Sequence, residues 1–134
     1  MKIFIDTNIM FSSILHPGST PDIAFQKALS FPNICFTSVY CIDELSRKFK
    51  QKFPEMEEDL NVFLSFLNID VQVISESESI NELEKLIRDP KDRPVLRAAI
   101  ECGSEILITG DKDLLESSIT YPEIMSAYDF INKK

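Results

Sequence analysis

Asp6, Glu44, Asp92 and Asp111 are the residues of this sequence whose type and placement could do chemistry. Asp6 follows directly on the apolar run Lys2–Ile5, where an aspartate adds nothing to packing and is therefore marked for function. The other three each have a plain structural reading as well. Asp92 falls at the third position of a helix opened by Asp89-Pro90, where an acid favours the helix dipole by about a few tenths of a kcal/mol. Glu44 lies four residues before Lys48 on a polar helix face, the spacing of an ordinary surface ion pair. Asp111, with Asp113, could start a turn and cap a helix Leu114–Ser117. The four together say more than any one of them. Carboxylates gathered close to one another repel, and their pKa values rise until a cation relieves the conflict. Hard oxygen donors with no His or Cys nearby favour Mg2+ or Mn2+ over zinc. The only histidine, His16, belongs to a loop.

The elements expected around these acids alternate between strand and helix. Lys2–Ile5 reads as a first buried strand and Asn33–Thr37 as a second, followed by a helix from Ser38 to about Phe53. Pro54–Leu67 reads as a helix with Leu60, Phe63, Leu64 and Leu67 on one stripe, and Val71–Ile74 as a third strand. Ser79 and Glu82 have the spacing of a capping box opening a short helix to Ile87. Asp89 as N-cap and Pro90 at the first position start a helix to about Cys102. Glu105–Thr109 is the fourth strand, Ile124–Ser126 a weak fifth, and Tyr128–Lys133 a last helical turn. This order with short links predicts one α/β domain over residues 1–134, a three-layer α/β/α sandwich around a parallel sheet of four to five strands. In such sheets ligands bind beyond the carboxyl ends of the strands, where the strand order switches. All four acids are expected at or above that edge.

Composition narrows the function classes. Hydrophobic residues at 44% and charged residues at 27% are those of a globular chain rather than a disordered one. Gly18, Gly103 and Gly110 are too few and too scattered to form a phosphate-cradling loop. Cys35, Cys41 and Cys102, never spaced C-x-x-C, read as free thiols in a reducing compartment. With no long apolar run and an early acid at Asp6, a cytoplasmic protein without a membrane partner is expected. Fourteen Lys and Arg against 22 Asp and Glu give a net charge of −8, the wrong sign for a general nucleic-acid binder. Setting the four acids aside brings −8 to −4, and the positive groups are clustered: Arg47, Lys48, Lys50 and Lys52 after Glu44, and Arg88, Lys91, Arg93 and Arg97 around Asp92. These clusters are either solvated helix faces or rails for phosphates.

The chain resembles PIN domains, particularly the bacterial and archaeal branch of toxin–antitoxin nucleases. The resemblance rests on Phe4-Ile5-Asp6-Thr7-Asn8-Ile9, Ser12-Ser13, Pro17-Gly18, Asp43-Glu44-Leu45, Arg88-Asp89-Pro90-Lys91-Asp92 and Ile108-Thr109-Gly110-Asp111-Lys112-Asp113-Leu114; residues after Asp113 match poorly. It implies that Asp6, Glu44, Asp92 and Asp111 form the family's acidic quartet, with Asp113 a frequent fifth acid, and that Asn8 and Thr109 orient the carboxylates. On that footing Asp6 and Asp111 are expected as core metal ligands, Asp92 as a ligand directly or through water, and Glu44 as holder of a second ion or of the attacking water. Arg47, Lys48, Arg93 and Arg97 are the expected RNA contacts. The implied activity is Mg2+- or Mn2+-dependent hydrolysis of single-stranded RNA, with one or two ions, leaving 5′-phosphate and 3′-hydroxyl ends. An antitoxin protein and a second copy of the chain are the implied protein partners. Two rivals stand beside this reading. A haloacid-dehalogenase-like phosphatase using Asp6 as nucleophile wants an aspartate where Asn8 stands. A catalytically silent binding module of the same fold should lack some of the acids, and this chain keeps them all.

Overall fold

The computed structural model describes residues 1–133; Lys134, the last residue of the expected unit, lies outside the described residues. The chain alternates strands with helices. It begins with β1 (Lys2–Ile5), α1 (Thr7–Leu15), α2 (Thr20–Leu29), β2 (Ile34–Ser38), α3 (Val39–Lys52), α4 (Glu57–Asp70) and β3 (Val71–Ile74). It continues with α5 (Arg93–Glu101), β4 (Ile106–Ile108), α6 (Lys112–Leu115), β5 (Glu123–Met125) and α7 (Ala127–Ile131). All neighbouring strands pair in parallel, in the order β3-β2-β1-β4-β5. This is the expected three-layer sandwich with five strands.

Burial explains why the central strands are continuous apolar runs. Ile3, Phe4 and Ile5 of β1 and Leu107 and Ile108 of β4 are wholly buried, as strands covered on both faces must be. From β1 the chain steps outward through β2 to β3, then returns to the other side of β1 for β4 and β5. Right-handed crossovers running in two directions put their helices on opposite faces. In keeping with this, α1, α2, α3 and α4 pack among themselves, while α5 lies on β2. The strand order reverses between β1 and β4, where sheets of this kind bind ligands beyond the carboxyl ends, and Asp6 and Asp111 follow those two strands.

Several boundaries differ from expectation, for local reasons. The link between β1 and β2, left without elements in the sequence reading, folds as two helices. Ser19 caps α2, accepting from the Asp22 N–H, and Pro21 sits in its first turn. His16 ends α1 and is exposed. The capping box is formed by Asn81 and Glu84 instead of Ser79 and Glu82, and it opens a 3-10 turn, Glu82–Leu86. Asp89 does cap Pro90, but only into a 3-10 turn, Pro90–Asp92, after which α5 begins at Arg93. Pro94 accounts for the break. An α-helix running through from Pro90 would set the Pro94 ring against the Pro90 carbonyl and lose that hydrogen bond. Asp92 therefore stands at a junction of two helical pieces, not at the third position of one long helix. Likewise Pro54–Met56 is a 3-10 turn ahead of α4. None of the helices among the described residues is long and apolar enough to cross a membrane.

Candidate active site

Asp6 is held by both oxygens. Its backbone N–H extends the β1–β4 pairing by donating to Ile108 O (3.1 Å). One carboxylate oxygen, Oδ1, accepts the Thr7 N–H at 2.7 Å, which makes Asp6 the N-cap of α1, and Oδ2 accepts the Thr109 hydroxyl at 2.7 Å. The residue is 5% exposed. Burial drives its pKa up to about 6 despite those two hydrogen bonds, and the charges of Glu44 and Asp111 push in the same direction. Asp6 is thus both a helix cap and a carboxylate strained by its charge.

The turn after β4 is built to face it. Thr109, fully buried, donates to Asp6 and accepts the Asp111 N–H at 3.0 Å on the same hydroxyl. Asn8 Oδ1 accepts the Gly110 N–H at 3.2 Å, and a Cβ at Gly110 would stand 3.3 Å from Asn8 Nδ2. Glycine permits that close approach. Asn8 and Thr109 thus brace the turn. Asp111 caps α6, its Oδ1 accepting from the N–H groups of Asp113 (2.8 Å) and Leu114 (3.4 Å).

Asp92 is the centre of the acidic group. Its Oδ2 is buried without a hydrogen-bond partner. Burial first, then Asp111, Asp89 and Asp6, raise its pKa to about 7. Glu44, half-buried on α3, is near enough to Asp6 to repel it. The four expected acids therefore converge. The tightest set is different, however: Asp89, Asp92 and Asp113 each offer an oxygen within 4.8 Å of the others. Asp89 was not among the expected ligands. Its other role, accepting the Lys91 N–H at 3.0 Å as cap of the 3-10 turn, is what aims it into the group.

The basic residues divide. Arg97, expected to contact RNA, forms a fork on Glu84 (2.8 and 2.7 Å) and donates to Ser77 O (2.9 Å), with its side chain 15% exposed. Glu84 is 1% exposed and needs this partner, so Arg97 fastens the loop after β3 to α5 and is not free for phosphate. Arg93, half-buried, donates its Nε to Ile87 O at 3.0 Å. Arg47 is exposed, and Lys48 rests over the Phe11 ring at 5.6 Å. Arg88 pairs with Asp113. Tyr40 escaped the sequence reading. Its hydroxyl donates to Lys91 O at 2.7 Å, tying α3 to the Asp92 segment. Burial raises its pKa, helped by the charges of Glu44 and Asp92. The available signal was its place one helical turn before Glu44.

The donor set fits a hard divalent cation. Every candidate ligand is a carboxylate, one buried oxygen lacks any partner, and burial, with the neighbouring acids, raises the pKa of two of the carboxyls.

Comparisons with known proteins agree with this fold. An uncharacterised protein of Methanocaldococcus jannaschii is 27% identical over 124 residues, covering 86% of this chain and 74% of that one. The fold is similar to that in the crystal structure of VapBC2 from Rickettsia felis bound to a DNA fragment from their promoter, with TM-score 0.69 and 15% identity over 94% of this chain and 98% of the other. It is also similar to Mycobacterium tuberculosis VapC20, described as a Sarcin-Ricin loop cleaving toxin, with TM-score 0.58 and 17% identity over 83% and 91% of the two chains. The profile of the PIN domain matches residues 2–113, from the first strand through the last acid of the group, and the chain therefore belongs to the PIN-domain family.

Proposed function

We propose that this chain is a divalent-metal-dependent endoribonuclease that hydrolyses phosphodiester bonds of single-stranded RNA, working in the cytoplasm as the toxin of a toxin–antitoxin pair. The observation that carries the reading is Asp92 Oδ2, buried and unpartnered beside the carboxylates of Asp111, Asp89 and Asp6. A buried oxygen of that kind costs free energy unless a cation or donor meets it.

Asp6, Asp92 and Asp111 hold the ion together with Asp89 and Asp113, which form the tight trio with Asp92, and Glu44 stands at the margin of the group. Mg2+ or Mn2+, when bound, supplies Lewis acidity to water and to the scissile phosphate. Glu44, half-buried on α3, orients the attacking water. Thr109 fixes the Asp6 carboxylate and, with Asn8, the backbone of the turn that carries Asp111, so that little reorganisation is needed on binding. Arg47 and Lys48 on one side and Arg93 on the other lie along the chain next to the acids and carry the neighbouring phosphates. Setting Asp6, Glu44, Asp92 and Asp111 aside still leaves a net charge of −4, so RNA binding rests on the clustered basic residues and not on the overall charge. The antitoxin partner is supported by the likeness to VapBC2 and VapC20, and the cleaved ends, 5′-phosphate and 3′-hydroxyl, by the family resemblance.

The test is cleavage of an end-labelled single-stranded RNA by purified protein. Cutting is expected with Mg2+ or Mn2+, and none is expected with excess EDTA or in Asp92→Asn. Cleavage that survives EDTA contradicts the proposal.

A further inference from the structure

Arg88 is the one cation paired with an acid of the site among the described residues; the other ion pairs, Lys85–Glu82, Arg97–Glu84 and Lys133–Glu123, lie elsewhere. Its backbone is anchored on both sides. Ile87 is fully buried, with its carbonyl held by Arg93, and Asp89 caps the following turn. The side chain, by contrast, is 85% exposed, with Nε donating to Asp113 Oδ1 at 2.8 Å and Nη2 standing 2.8 Å from the same oxygen. Such a contact uses half of what a guanidinium fork can offer, since the fork matches two oxygens at once. An exposed pair of this kind is also weak and readily exchanged. Asp113 is only 17% exposed and shares the tight trio with Asp89 and Asp92, so the oxygen that Arg88 occupies belongs to a residue within reach of the ion.

We propose that Arg88 is the phosphate ligand of this site and that, before RNA arrives, it is parked on Asp113. A phosphodiester offers the fork two oxygens in place of one. Transfer of the guanidinium to the phosphate releases the Asp113 carboxylate to the cation, and the site gains a ligand as it gains its substrate. Ion and RNA then bind with positive coupling, and the coupling is reciprocal. The inference rests on the metal-site reading above.

The experiment is a calorimetric Mn2+ titration of four proteins: wild type, Arg88→Ala, Asp113→Asn and the double variant. Arg88→Ala should tighten Mn2+ binding roughly fivefold, the reach of an exposed ion pair. In the Asp113→Asn background the same change should do nothing, because the ligand being released is gone. A hydrolysis-resistant phosphorothioate oligonucleotide should tighten Mn2+ binding in wild type and much less in Arg88→Ala. Equal tightening by Arg88→Ala in both backgrounds means that Arg88 acts only through space, and overturns the exchange while leaving the metal site standing. Wild type that binds no Mn2+ overturns the metal-site reading itself, and the exchange with it.

Discussion

Replacing Asp6 by asparagine should abolish cleavage and yet stabilise the metal-free protein at neutral pH. The carboxylate is 5% exposed and its pKa is raised from 3.8 to about 6, so holding it ionised at pH 7 costs on the order of 3 kcal/mol. Asparagine keeps an oxygen for the Thr7 N–H. It presents an amide to the Thr109 hydroxyl, which already accepts from Asp111, and leaves that hydroxyl's proton without its acceptor, at a cost of about 1–2 kcal/mol. The net gain is on the order of 1–2 kcal/mol, or roughly 3–8 °C in melting temperature. The sign depends on pH. With the folded pKa above the unfolded one, the folded state holds the extra proton between about pH 4 and 6, and wild-type stability falls as pH rises through that window. Asparagine lacks the fall. Near pH 4 the advantage should disappear, leaving the variant slightly less stable through its lost hydrogen bond. Saturating Mn2+ at pH 7 should reverse the neutral-pH ranking, because wild type gains binding energy that the variant lacks. Thermal melts with EDTA at both pH values, and with Mn2+ at pH 7, measure all of this. If Asp6→Asn melts lower than wild type in EDTA at pH 7, Asp6 is a structural cap and the electrostatic account of the site fails.

Glu84→Gln should destabilise the protein by roughly 2–4 kcal/mol in urea unfolding, because it leaves Arg97 largely buried without its countercharge; a loss below about 0.5 kcal/mol would return Arg97 to the pool of free cations. Lys48→Glu should weaken RNA binding and lower the log–log salt slope by about one unit or slightly more, while leaving Mn2+ affinity nearly unchanged. An unchanged slope assigns Lys48 to packing over Phe11 alone.

The strands and the acids were legible for the same reason. A parallel sheet buried on both faces writes itself as unbroken apolar runs, and an acid directly after such a run has no packing purpose, as at Asp6 and near Asp111. What stayed hidden was set by contacts distant in sequence. Thr7–Leu15 is apolar or small on every side, so it shows no stripe to read as a helix; only the Ser19-Thr20-Pro21-Asp22 start of α2 offered a local signal. Arg97 looked like a phosphate rail because the chain places it near Asp92, whereas its partner Glu84 lies thirteen residues back in a loop. Tyr40 looked like an ordinary helix residue because its acceptor, Lys91 O, is 51 residues away. Asp89 was read as a cap, which it is, and the spacing alone did not show that the break imposed by Pro94 gathers it with Asp92 and Asp113.

The central claim is that acids from separate segments form one cation site whose burial, with the neighbouring charges, raises the pKa of two of them. Calorimetric Mn2+ titrations in buffers of different ionisation enthalpy read this directly, by counting protons released on binding. With Asp6 at about 6 and Asp92 at about 7, a site that binds through both should release about one proton near pH 6.5 and close to none near pH 8.5. Mn2+ binding with no proton release at pH 6.5, or no binding at either pH, would contradict the account.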